Sequence, residues 1–167
     1  MPFGDPQFRT DGEIRALIRA MVLSVPGAGD WMDVWGRTPA WLGQRRAAGR
    51  PWWNIRRASV SEAWPDRAIN DFQGPEAIQT SRYVLELKFP WSIEPGKESE
   101  PRFEALVDAV LAKFRDEPNL GGAVREASLA SVDGGETGFV LVRRGDDLLT
   151  AHVARFEMTI TQIAPRS

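Results

Sequence analysis

Cysteine is absent from the 167 residues, and histidine occurs once, at His152. The first absence excludes disulfides, thiolate metal sites and a cysteine nucleophile, and it suits a reducing compartment. The second excludes any pair of histidine ligands. No apolar run approaches the ~20 residues that a membrane span requires, and Met1-Pro2-Phe3-Gly4-Asp5-Pro6 has neither a basic nor an apolar leader region. These features predict a protein made in the cytoplasm, neither secreted nor embedded in a membrane. A strong charge of one sign is missing too: the net charge is −2 and the pI near 5.5, so the average surface offers no field that would gather nucleic acid. A chain of this length, read as a single domain over 1–167, buries about 70% of its unfolded surface and needs no staple.

What is present is unevenly spread. Between Val34 and Ser61 stand Arg37, Arg45, Arg46, Arg50, Arg56 and Arg57 with no acid among them, which leaves the rest of the chain at −8. Trp35, Trp41, Trp52 and Trp53 are interleaved with them. Arginine and tryptophan are the residue types most enriched at binding hot spots. The candidate interface is therefore Trp35, Arg37, Trp41, Arg45, Arg46, Arg50, Trp52, Arg56 and Arg57. Two other uses compete with it. Trp31, Trp35, Trp41 and Trp53 can be core residues on which arginines stack, or segment 34–61 can read single-stranded nucleic acid on aromatic platforms among cations. Global acidity argues against the last.

Along the chain, Thr10-Asp11-Gly12-Glu13 fits a capping box, and Ile14, Leu17, Ile18, Met21 and Val22 then recur on one helical face until Pro26-Gly27. Trp31 to Arg37 reads as a strand, Thr38-Pro39 opens a short helix to about Ala48, and Trp52 to about Ala63 reads as a second strand. Pro65 to Gln79 has little periodicity and is predicted to be an exposed loop, the segment best suited to ordering on a partner. Tyr83, Leu85, Leu87 and Phe89 alternate with Val84, Glu86 and Lys88, the period of a strand with one buried face. Ser99-Glu100-Pro101 opens a helix whose stripe is Phe103, Leu106, Val107, Val110, Leu111 and Phe114, with a stop at Asn119-Leu120-Gly121-Gly122. Three strands follow, near 123–132, 138–143 and 149–163, and the regular last one is expected at the sheet's centre. The predicted class is α+β: a mixed, mainly antiparallel sheet packed by two main helices plus one short helix.

No catalytic constellation emerges. His152 lies within a strand and is read as structural. Asp146-Asp147 sits in a turn, and Glu98 and Glu100 sit at a helix start, where carboxylates favour the positive end of the dipole. Gly121-Gly122 and Gly134-Gly135 are followed by strands and lack the Lys-Ser/Thr of a phosphate loop. The reading is a protein that is not an enzyme, with no cofactor and no metal.

The second half carries a resemblance. Tyr83-Val84-Leu85-Glu86-Leu87, Arg102-Phe103-Glu104-Ala105-Leu106-Val107-Asp108-Ala109-Val110, the stop Phe114-Arg115-Asp116-Glu117-Pro118-Asn119-Leu120-Gly121-Gly122 and the closing Ala151-His152-Val153-Ala154-Arg155-Phe156-Glu157-Met158-Thr159-Ile160 are similar to the tail terminator and tail-completion proteins of long-tailed bacteriophages, the minor tail protein U-like group. The similarity covers about 80–163, while 34–75 matches nothing in the family. It implies a virion protein without an active site. Six copies would form a ring on the last tail-tube ring, stop its growth and offer a docking face to the head–tail connector protein. Partners would be further copies of itself, the tail tube protein and the connector, with non-specific contact to DNA in the channel and none to membrane. A head-completion or connector protein on the head side is the alternative, and the nucleic-acid module of 34–61 the second.

Overall fold

The computed structural model describes residues 6–32, 50–63, 76–92, 95–96, 98–131, 138–144 and 147–165, of which 76, 131, 138–144, 147–150 and 165 are described by backbone alone. The elements in chain order are α1 (Asp11–Leu23), β1 (Asp30–Met32), β2 (Trp52–Ala63), β3 (Glu76–Pro90), α2 (Ser99–Asp116), β4 (Glu126–Ser131), β5 (Gly138–Arg144) and β6 (Asp147–Pro165). The class is α+β with a mixed sheet and two helices. The short helix predicted at 38–48 and most of the strand at 31–37 lie outside the described residues, as do 65–75 of the predicted loop. Its last four residues, Glu76–Gln79, are strand, because β3 starts at Glu76 and is paired with β6 from there and with β2 from Ile78.

The sheet runs β1-β2-β3-β6-β4, and β5 occupies the remaining length of the β6 edge that β4 uses. Among the described strands, only β1 against β2 is parallel. β6 pairs β3 from Ala151 to Pro165 and β4 or β5 on its other side, which is the central place its alternation predicts.

α1 starts as the capping box dictates: Thr10 Oγ1 accepts from Glu13 N–H, and the Glu13 carboxylate accepts from Thr10 N–H at 2.7 Å. The backbone hydrogen bonds from Thr10 hold the Glu13 carboxyl below the usual range. The α1 stripe of Ile14, Ile18, Met21 and Val22 and the α2 stripe of Phe103, Leu106, Val110 and Phe114 bury against one face of the sheet. That face is made by Trp53 and Ile55, by Tyr83, Leu85, Leu87 and Phe89, and by Ala154, Phe156, Met158 and Ile160, each set at the strand period of two. Trp53 stacks on Phe156 with ring centres 6.1 Å apart, and Phe89 meets Phe103 edge-on at 6.0 Å.

The stop after α2 has its own geometry. Leu120, Gly121 and Gly122 take φ of 52°, 69° and 88° in succession, and Asn119 O accepts from Gly122, Ala123 and Val124. Left-handed backbone is costly for leucine, so its burial at 4% exposure must offset that cost. The chain thereby turns sharply enough to send β4 back onto β6.

Candidate interaction surface

Strand alternation divides the predicted Trp/Arg interface. Arg56 stands opposite Val84 and Arg57 opposite Tyr83, so the two arginines leave on opposite faces of the sheet. Arg57 turns toward α1, where its Nη1 lies 3.8 Å from Asp11 Oδ1. Trp52 and Trp53 diverge in the same way. Trp53 enters the helix-side core and donates its Nε1–H to Ala28 O at 2.7 Å. Trp52 is on the other face and is 1% exposed, with no hydrogen-bond partner for its Nε1–H among the described residues, so it is not part of the surface. Arg50 is exposed and pairs with Asp30 at 3.2 Å. Trp35, Arg37, Trp41, Arg45 and Arg46 lie outside the described residues. The described members thus form no single patch.

The face away from the helices carries charges in register. Glu86 stands directly opposite Arg155 and two residues from Lys88 on its own strand. Its carboxylate accepts from Arg155 Nε at 2.8 Å and lies 3.1 Å from Lys88 Nζ. At 6% exposure a lone carboxylate would be expensive, so these two cations are what permits it. Farther along, Arg82 grips Glu157 with two bonds, Nη2 to Oε2 at 2.6 Å and Nε to Oε1 at 3.1 Å. This fork holds the Glu157 carboxyl below its usual range and raises the Arg82 guanidinium. Nothing in the sequence by itself marks these pairs, since they depend on the β3–β6 register. The one available signal was Glu86 between Leu85 and Leu87 in the strand of clearest alternation.

At the helix side, Tyr83 donates its hydroxyl to Asp11 Oδ1 at 2.8 Å, and Arg15 pairs with the same carboxylate at 2.9 Å. Burial, with the Asp11 bond second, pushes the phenol far above its ordinary range. The cluster fixes the start of α1 to β3. His152 is 3% exposed, lies over Phe103 at 5.0 Å and is 2.8 Å from Ser99 Oγ. The Ser99 hydroxyl also lies 3.1 Å from Ser92 O and accepts from Ser92 N–H at 2.7 Å. Burial lowers the His152 pKa, while Glu100 and Glu104 oppose the shift. The arrangement clips the end of β3, the start of α2 and β6 together.

A groove of about 720 Å³ opens between the α1–β1 turn and the first half of α2. One wall is the turn from Leu23 to Gly29. It is held by the Trp53 indole, by Asp30 N–H donating to Pro51 O at 2.9 Å, and by Gly29, where φ is +93° and a Cβ would stand 2.0 Å from Pro51 O. Ala105 and Ala109 of α2 form the other wall, and Phe89 and Leu106 line it with them. Arg50 and Arg102 also line it, the latter 5.4 Å above the Phe89 ring, and no acidic side chain does so among the described residues. Sequence reasoning missed the groove because residues 23–29, 50–51, 89 and 102–109 meet only in the fold.

Among the described residues, no group of three or more His, Asp or Glu side chains could hold a metal, and no helix is long and apolar enough to cross a membrane. No family model matches the chain, and no curated protein matches it.

Proposed function

We propose that the chain is a structural virion subunit that forms a ring, most simply a hexamer, at the head-proximal end of a phage tail. The ring caps the tail tube, stops its polymerisation and presents a docking face to the head–tail connector protein. One observation carries the reading: the segments that resemble tail terminators in sequence assemble into one continuous core. Tyr83, Leu85 and Leu87 of β3, Phe103 to Phe114 of α2, Leu120 of the stop, and Phe156, Met158 and Ile160 of β6 all pack together, with both helices on one side of the sheet. The opposite side keeps Arg82 and Arg155 half exposed in a flat charged ladder, a surface suited to a polar interface rather than to a chemical step. A closed ring requires two different complementary surfaces on each copy, and the ladder and the groove lie on different sides of the subunit.

The test is electron microscopy of particles made by a phage lacking this gene. Overlong, headless tails are expected. Tails of normal length beside separate full heads would place the protein on the head side as a connector. Normal infectious particles would overturn the structural role and favour the nucleic-acid module.

A further inference from the structure

α2 buries the stripe Phe103, Leu106, Val110 and Phe114 against the sheet and leaves its outer side to solvent. At 3.6 residues per turn that outer side is centred on Ala105, Ala109 and Ala112, all exposed. Glu104, Asp108 and Arg115 stand along one flank of it, also exposed, and among the described residues none of the three makes a hydrogen bond or ion pair. Glu100, Glu104 and Asp108 follow one another at i, i+4 and i+8, a spacing at which like charges destabilise a helix. The open face of α2 therefore carries a row of carboxylates without a cation and, two turns beyond Asp108, an arginine without an acid.

The pattern is complementary to itself. Two α2 helices laid antiparallel about a two-fold axis at Ala109 set Ala105 of each against Ala112 of the other. The same register brings Arg115 of each beside Glu104 of the other on the same flank, with Asp108 one turn away. A parallel pair would instead set Glu104 against Glu104, which like charges oppose. Short side chains at the crossing let the two axes approach to about 8 Å, the near end of ordinary helix packing. We infer that two copies of the chain pair antiparallel through the outer faces of α2, with Ala109 at the axis and Arg115 of each copy paired with Glu104 of the other. The charges, rather than the alanines, choose the partner. A single helix crossing buries less than the roughly 1,200 Å² of a stable complex, so the pair is weak and exchanging. A two-fold contact cannot close a six-membered ring, so this one is separate from the ring contacts and stands without the ring reading.

Because the chain has no cysteine, single cysteines can report the geometry. All the positions substituted are exposed, so the core stays intact. On oxidation, Ala109→Cys should form a disulfide dimer in about tenfold excess over Ser128→Cys on exposed β4. Ala105→Cys alone should stay at the control level, because at 1.5 Å per residue its two copies lie about 12 Å apart, beyond disulfide reach. Mixed with Ala112→Cys, it should give the mixed dimer. Arg115→Glu in the Ala109→Cys chain should lower the yield about tenfold, and adding Glu104→Arg to that chain should restore it. An Ala109→Cys yield equal to the control overturns the contact and leaves the outer face of α2 to some other occupant. Ala105→Cys closing on its own copy as readily as Ala109→Cys would mean a parallel pair and overturn the register. A yield indifferent to Arg115→Glu would overturn the charge pairing on which the inference stands.

Discussion

The two faces of the sheet are built from the same strands by opposite chemistry. On the helix side every inward position of β3 from Tyr83 to Phe89 is apolar and buried, and two amphipathic helices complete the enclosure. On the other side the intervening positions of the same strand are Arg82, Val84, Glu86 and Lys88, answered from β6 by Val153, Arg155, Glu157 and Thr159. The first face is held mainly by area removed from water, which depends little on salt; the exposed part of the second, beyond the buried Trp52, Asn54 and Val153, is held by charge pairs, which respond to salt and pH. A subunit made this way has a rigid side and a tunable side. The tunable side is where substitutions can change the surface without endangering the fold.

The largest effect should come from the first face. Phe156 is fully buried and stacked on Trp53, so Phe156→Ala should destabilise by about 3–5 kcal/mol. A denaturant titration should show the midpoint falling with the slope unchanged. A loss below ~1 kcal/mol would mean that the helix side is not the stabilising one. The second face has one member that approaches this range, Glu86. Glu86→Gln removes the charge shared by Lys88 and Arg155 and should cost about 2 kcal/mol, because the largely enclosed Lys88 ammonium loses its counter-charge. Replacing Glu86 and Lys88 together by methionine should cost less than Glu86→Gln alone. That result would show that the charges specify the face rather than stabilise it.

How much of this comparison was legible before the fold is best seen residue by residue. The Thr10–Glu13 capping box, the two helical stripes and the alternation of β3 are local patterns, and each forms where the periodicity places it. The central position of β6 followed from its regularity. Register was not legible, because Glu86 and Arg155 are separated by 69 residues and nothing local pairs them. Nor was the fate of adjacent tryptophans: Trp52 and Trp53 must take opposite faces of a strand, but that both faces are closed at this point depends on tertiary packing. The candidate interface was read as one segment, and a strand sends neighbouring residues in opposite directions. Arg56 and Arg57 are separated by that rule alone.

His152 tests the pH sensitivity of the helix side, where the difference between the faces should narrow. Its pKa is lowered in the folded chain chiefly by burial, so the unfolded chain binds the proton more readily. Stability is therefore complete above the ordinary histidine range. It declines as pH falls through that range, and the loss levels off below the folded value. Denaturant midpoints between about pH 7.5 and about pH 5.5 should fall, and His152→Gln should remove that part of the slope. A midpoint that rises on acidification would mean that Glu100 and Glu104 outweigh burial at this site.

The smallest effect belongs to the pair of charges most open to water. Arg82 and Glu157 form a two-point fork on exposed strand positions, and side-chain exposures of 51% and 34% leave both ends solvated. Solvation screens the attraction and the entropy of two long side chains opposes it, so Arg82→Ala should barely change the unfolding midpoint. What should change is its salt dependence. In the parent chain the fork weakens as the Debye length shrinks from about 10 Å at 0.1 M to about 3 Å at 1 M salt. The Arg82→Ala chain should lose that component and show a flatter salt response, and Arg82→Ala with Glu157→Ala should match it. If the single variant instead unfolds as readily as Glu86→Gln, the ladder is cooperative along its whole length. The second face would then be a structural network rather than a row of independent pairs, and its exposed arginines would be less free to exchange Glu157 for another acid.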